Sequence, residues 1–246
     1  MMVNIIKALN IKTVLSNDKG IRKFIMMIFG VLLIGFGVSV FSYSDMGVDP
    51  FTSMNMAISA KTGISFGFYQ MCINIIILVF IAVFAKKLIS IGTVFNMLSV
   101  GYICELFTAI FNNFLPQQNS QTVKIILMIF GVCILSLGAS LYFTSDLGVA
   151  PYDAIGFVLN DKSKIAYKWC RVITDLVCAV IGFIFAGPVG AGTIVTAFMM
   201  GPVISFFNKN VSEKLLNMNI RMPVMRFYNL KAIGGGVVAA NGRFAS

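Results

Sequence analysis

The eight residues at 44–51 (SDMGVDPF) return at 145–152 as SDLGVAPY, which places Asp45 and Asp146, Gly47 and Gly148, and Pro50 and Pro151 each 101 positions apart. The same offset aligns 24–37 (FIMMIFGVLLIGFG) with 125–138 (IILMIFGVCILSLG). Shifted by one residue, it aligns Ile91-Gly92-Thr93 with Ala191-Gly192-Thr193. A period held over that length marks two copies of one unit of roughly 100 residues. Whatever this chain builds, it builds twice.

Each copy carries three apolar stretches, at 24–43, 69–85 and 88–110 in the first and at 125–143, 172–186 and 191–207 in the second. A bilayer core takes about 20 helical residues, with a range of about 17–25. With 58% hydrophobic and 11% charged side chains and a mean hydropathy of +0.91, the chain lies outside the range of soluble domains. The apolar runs are continuous and do not alternate, which predicts helices and not barrel strands.

Two further helices are expected to be too short to span. The first covers 50–60, with Asp49 as its cap, Pro50 at its first position and Gly63 as its stop. The second covers 151–159, with Asp153 at its N-terminus and a polar turn at 160–164. Three spans per copy is an odd number, so the second copy should enter the membrane upside down. The expected fold is all-α and polytopic: six transmembrane helices as two inverted three-helix repeats, each with a short non-spanning helix after its first span.

This divides the chain into a basic N-terminal segment (1–22), a first membrane repeat (23–111), an external linker (112–123), a second repeat (124–207) and a basic tail (208–246). The net charge of +10 fits this topology. With both termini cytoplasmic, Lys19, Arg22, Lys23, Lys86, Lys87, Lys162, Lys164, Lys168 and Arg171 fall inside, while Lys61 and Lys124 fall outside. The bases form no aromatic-studded patch, which argues against nucleic acid. The first 22 residues lack the pattern of a cleaved signal peptide.

No catalytic apparatus is expected. The chain has no His, and Cys72, Cys104, Cys133, Cys170 and Cys178 stand singly, so neither a metal site nor a cofactor is predicted. The Gly-rich run at 234–236 follows no strand and lacks a Lys-Ser/Thr ending, so it is not a phosphate loop.

The polar residues of the membrane region are the candidates for binding a solute or ion. Asp45 and Asp146 end helices, where the macrodipole disfavours a negative charge. Either each carboxylate closes an Asx-type turn, or with freed backbone carbonyls it holds a cation or proton. Gly47, Pro50, Gly148 and Pro151 shape the breaks. Glu105 and Asp175 lie just inside the ends of their spans. Arg171 and Asp175 are an i,i+4 pair whose counterparts in the first copy are Gln70 and Asn74.

The topology groups Asp45, Asn74 and Glu105 in one leaflet and Asp146, Arg171 and Asp175 in the other. Asp153 stands at the second short helix, and Asn96, with its counterpart Thr196, serves interhelical hydrogen bonding or substrate contact. Gly30, Gly35 and Gly37, with Gly131 and Gly138, form a small-residue face that permits a homodimer as well as packing within the chain.

In the segments 37–50 (GVSVFSYSDMGVDP) and 92–107 (GTVFNMLSVGYICELF), with their counterparts 138–153 and 192–207, the chain resembles the YczE/YyaS/YitT group of bacterial integral membrane proteins. The resemblance covers about 24–207 and is nearest to the YczE branch, because the tail is too short for the soluble C-terminal domain of YitT-like members. It implies a small polytopic protein of the bacterial cytoplasmic membrane. Many relatives carry Trp after the motif proline, where this chain has Phe51 and Tyr152.

Together these readings lead to a secondary-transporter-like permease, whose partners are the lipid bilayer and a small solute or ion. The acid-rich clusters favour a cationic or proton-coupled substrate. A membrane-embedded regulatory subunit and a channel are the alternative readings.

Overall fold

The computed structural model describes residues 14, 15, 17–116 and 120–218, and among these the regular elements are helices. Helix α1 (Asp18–Tyr43) is followed by the short α2 (Pro50–Thr62), then α3 (Phe66–Phe84) and α4 (Ile91–Phe114). The second copy repeats the order as α5 (Gln121–Ser145), the short α6 (Pro151–Ser163), α7 (Tyr167–Ile184) and α8 (Ala191–Phe207). A π-turn at Asn208–Ser212 continues α8 into α9 (Glu213–Asn217).

Among the described residues, five helices are long and apolar enough to cross a membrane: α1, α3, α4, α5, and α8 with its continuation to Asn217. The sixth expected span corresponds to α7, which carries Lys168, Arg171 and Asp175 within its 18 residues. Both short helices have 13 residues, about 20 Å at 1.5 Å per residue and too short for a bilayer core.

The helices start and stop where local chemistry directs. Asn17 Oδ1 accepts the Gly20 N–H at 2.6 Å and opens α1, whose first five residues lie inside the expected N-terminal segment. Asp49 caps α2, Pro50 holds its first position, and Gly63 ends it with φ +69°. Helix α6 runs four residues beyond the expected end, through Ser163, and its C-cap is Lys164 in the left-handed region. Most of the polar turn expected at 160–164 is therefore the last turn of that helix.

Helical structure continues past the expected end of the second repeat at 207. Asn208 Oδ1 accepts from Ser140 at 2.7 Å and from Thr144 at 3.1 Å, while Ser140 and Ser212 share a hydrogen bond of 2.6 Å. These bonds pin the end of α8 to α5. The N-terminal stretch 1–13 and the tail beyond 218, with the Gly-rich run, lie outside the described residues.

Helices α1 and α5 form the spine. They pack side by side and antiparallel, with Gly30 against Gly138 and Tyr142, Gly37 against Leu135, and Gly131 against Phe41. A Cβ on Gly30 would lie 2.8 Å from the Gly138 carbonyl oxygen, and a Cβ on Gly138 would lie 2.8 Å from that of Gly30. Glycine thus allows the backbones to approach closely and gain dispersion contacts that lipid would not supply. The small-residue face packs within the chain at these positions. Gly35 turns instead toward Ile103 of α4.

The short helices are exchanged between the copies. Helix α2 packs chiefly on α7, and α6 packs on both α3 and α7. Helix α4 packs on α1, and α8 on α5. The core near the spine is Met27, Val31, Val100, Tyr142 and Leu147, with Phe41, Val48 and Val132 as a second cluster.

Candidate functional site

The repeated motif makes the same contacts twice, each time with the other copy. The Gly92 N–H donates to Leu147 O at 2.7 Å, and the Gly192 N–H to Met46 O at 2.8 Å. Val48 N–H donates to Pro188 O at 3.0 Å, and Val149 N–H to Leu88 O at 3.1 Å. Gly47 and Gly148, at φ +92° and +116°, lie against Gly190 and Thr193 in one case and against Ser90 and Thr93 in the other. A side chain at either glycine would strike these groups, so the glycines serve both the backbone angle and the close approach.

The expected Asx turns at Asp45 and Asp146 are not what the structure shows. Both residues have φ +54°, and both carboxylates pair with a lysine of the other copy: Asp146 with Lys23 at 3.0 Å and Asp45 with Lys124 at 2.6 Å. Lys23 and Lys124 are themselves 101 positions apart. The local turn bonds come from the preceding serines, Ser44 to Phe41 O and Ser145 to Tyr142 O, each at 2.6 Å. Both aspartate side chains are mostly exposed. They pair at the two ends of the α1–α5 spine, apart from the buried acids.

The buried polar groups gather where the two short helices meet. Phe51 of α2 stacks on Tyr152 of α6, with centroids 4.2 Å apart. The Tyr152 hydroxyl donates to Asp175 Oδ1 at 2.6 Å, and Arg171 Nε donates to Asp175 Oδ2 at 3.3 Å. Arg171 also pairs through Nη1 with Asp153 and lies over the Tyr152 ring, 4.8 Å from its centroid. The i,i+4 pair is therefore real but forms one edge of a larger network. Asp153 spends its carboxylate on Arg171 and does not cap α6, whose N-cap is Ala150 without a side-chain bond.

Asp49 borders this network. Its Oδ1 accepts the Thr52 N–H at 3.1 Å, and its Oδ2 is buried without a hydrogen-bond partner. Burial pushes the Asp49 carboxyl above its ordinary value of 3.8, and the Asp175 charge adds to this. The Thr52 bonds and Arg171 act in the opposite direction. Ser53, one turn along α2, faces Gly182 of α7, and its fully buried Oγ also lacks a partner. The same holds for both side-chain polar atoms of Asn55.

The first-copy counterparts are neutral. Gln70 and Asn74 are buried, and Gln70 Oε1 is without a partner. Glu105 accepts the Gly67 N–H at 3.1 Å and so satisfies the start of α3. Glu105, Asp45 and Asp146 each have a separate partner: Gly67, Lys124 and Lys23. Asn96 is buried in α4, while Thr196 donates to carbonyls of its own helix, Gly192 O and Thr193 O, each at 3.1 Å. Among the described residues, no group of three or more His, Cys, Asp or Glu is arranged to hold a metal ion.

Sequence reasoning missed Asp49, Ser53, Asn55 and the Phe51–Tyr152 stack as members of the site. One signal could have found them. The paired structural contacts come from corresponding positions of the two copies, at an offset of 101 in the motif and 100 in the later span, whereas the charged network comes from positions whose residue types differ in charge: Asp49 against Ala150, Thr52 against Asp153, Gln70 against Arg171 and Asn74 against Asp175.

Residues 21–209 match the model of DUF6198, a family of unknown function. The chain is 27% identical over 178 residues to the "Uncharacterized membrane protein YczE" of Bacillus subtilis (strain 168), covering 72% of this chain and 81% of that protein. It is also 27% identical over 193 residues to the "Uncharacterized protein YyaS" of the same organism, covering 78% and 95%. An "Uncharacterized protein" of Haemophilus influenzae is 23% identical over 198 residues, covering 80% and 85%. No solved structure matches the chain.

Proposed function

The chain belongs to the DUF6198 family of unknown function, and we propose that it is a secondary-transporter-like permease working between two inverted repeats. The observation that carries this reading is the exchanged pairing, in which Lys23–Asp146 and Lys124–Asp45 join equivalent positions of opposite copies at opposite ends of one antiparallel helix pair. Two like units joined through a two-fold relation offer two equivalent packings, and alternating access is an exchange between such packings.

In this reading α7 is the sixth span. Its buried Asp175 and Cys178 face the protein, while Ile173, Leu176, Val177, Val180 and Phe183 are exposed, as a lipid-facing side would be. The α1–α5 spine stays fixed, because its backbones are in contact through glycine. The short helices and the spans they touch rock against it.

The substrate site lies at the Phe51–Tyr152 stack, with Asp49, Asp153, Arg171 and Asp175 around it. Three carboxylates against one guanidinium favour a small cation or a proton-coupled solute over a multiply charged anion.

The test is uptake into proteoliposomes of purified protein, using a panel of small inorganic cations, amines, amino acids and vitamins. One class of compound should be taken up, and Asp175→Asn should abolish its uptake while leaving the protein folded. Uptake unaffected by Asp175→Asn and Asp49→Asn together would remove the assigned site. If no compound moves and one stoichiometric partner co-purifies, the chain is a membrane-embedded regulatory subunit instead.

A further inference from the structure

We infer that Asp49 is the proton carrier of this permease, binding the coupling proton on Oδ2. The inference rests on the permease reading for the word coupling, but the proton site itself stands on geometry. Asp49 Oδ2 is sealed from solvent and has no donor. An ionised carboxylate in that state costs several kcal/mol unless a countercharge is at hand. The nearby countercharge is already engaged, because Arg171 is bound by Asp153 and Asp175.

The groups facing Asp49 favour the same outcome. Helix α7 presents Asp175, Arg171 and Cys178, and α4 presents Cys104. Helix α6 contributes Tyr152, which lies under Arg171, and Asp153, which pairs with it. Asp175 repels a second negative charge at Asp49, and the two thiols supply no cation. On α2 itself, the buried Ser53 hydroxyl lies one turn from Asp49 and lacks a partner. A protonated Asp49 can donate from Oδ2, whereas an ionised one can only accept. A proton is also the ligand that reaches a sealed oxygen without opening a cavity.

The binding step is simple to balance. A proton from water forms an O–H bond on Oδ2 and neutralises the carboxylate, and release returns it to water on whichever side is open. With the proton bound, Asp49, Asp153, Asp175 and Arg171 sum to one negative charge. Without it they sum to two. A cationic solute is therefore bound more tightly when the proton leaves, which makes the two ligands exchange partners across the membrane.

Infrared spectroscopy of the reconstituted protein tests this without knowing the solute. The wild type should still show the C=O stretch of a protonated carboxylic acid above the ordinary aspartate value of 3.8, and lose it as pH rises further. The band should be lost in Asp49→Asn and retained in Asp153→Asn. If Asp49→Asn does not fold, Asp49→Glu keeps the acid and should shift the frequency of the same band.

Melting temperature gives a second readout. A group whose folded pKa is raised contributes stability that is fully present below its unfolded value and is lost as pH rises through the folded value. The wild type should therefore lose melting temperature relative to Asp49→Asn over that window. A band that persists in Asp49→Asn, or the absence of any protonated acid above the ordinary 3.8, overturns the inference and leaves the permease reading standing. A titrating Asp49 in a protein that moves no solute does the reverse.

Discussion

The rings of Phe51 and Tyr152, one position seen in both copies, stack with centroids 4.2 Å apart and planes 13° from parallel. Each ring stands at the second position of its short helix, so the two short helices meet through matching positions of their first turns. Both rings are buried, and Cys178 packs beside them. Phe51→Ala should cost about 3–5 kcal/mol, the usual figure for a buried aromatic. Tyr152→Phe keeps the stack but deprives Asp175 of a donor and should cost about 1–3 kcal/mol. Unfolding of the detergent-purified variants measures both, and a neutral Tyr152→Phe would show that the hydroxyl bond to Asp175 contributes nothing to stability.

The two exposed aspartates serve the backbone more than the charge. At φ +54° Asp45 and Asp146 occupy the left-handed region, which Asp, Asn and Gly tolerate and which costs other residues about 1–2 kcal/mol. Their lysine pairs are screened by water and worth about 0.2–1 kcal/mol. Asp146→Asn and Asp146→Gly should therefore stay close to wild type in melting temperature, while Asp146→Ala should fall clearly below both. Equal losses in all three would assign the stability to the Lys23 pair instead.

The spine gives a contrast between two glycines. Gly30→Ala drives a Cβ to 2.8 Å from Gly138 O and Tyr142 N, both backbone atoms. That overpacking should cost about 1–3 kcal/mol. Gly201 lies inside α8 with no other element within 4 Å of an added Cβ, and the crowding of Pro202 on the residue before it offsets the helix-propensity gain of about 0.5–1 kcal/mol, so Gly201→Ala should stay near wild type. Thermal unfolding of the pair in one detergent decides it. If both lowered stability alike, close packing would not explain the Gly30 result.

Much of this architecture is legible from the 101-residue offset, because a repeat fixes which segments must be alike. The glycines at 30, 37, 131 and 138, the caps at Asp49 and Gly63, and the short length of α2 and α6 all follow from local chemistry. The lysine partners do not. Lys23 and Lys124 look like ordinary flanking charges until the antiparallel spine brings each beside the other copy's aspartate. The site was hidden for the opposite reason. Resemblance between the copies draws the eye to Asp45 and Asp146, which the fold places at the surface, whereas the buried network uses positions where the copies disagree. Asp49 read as a cap, and it is one, but only folding reveals that its second oxygen is sealed without a partner.

That disagreement between copies can be tested directly at Arg171, whose first-copy counterpart is Gln70. Arg171→Gln leaves Asp153 and Asp175 without their shared cation, and loss of one member of a buried pair costs about 3–5 kcal/mol. Converting the partners as well, with Asp153→Thr and Asp175→Asn after Thr52 and Asn74, removes the uncompensated charges, and replacing a whole buried ion network is often close to neutral. The triple variant should therefore be markedly more stable than Arg171→Gln alone. Chemical or thermal unfolding measures the difference. A triple variant no more stable than the single one would mean that Arg171 holds α6 to α7 by its own packing and cation–π contact with Tyr152, and not by neutralising the two acids.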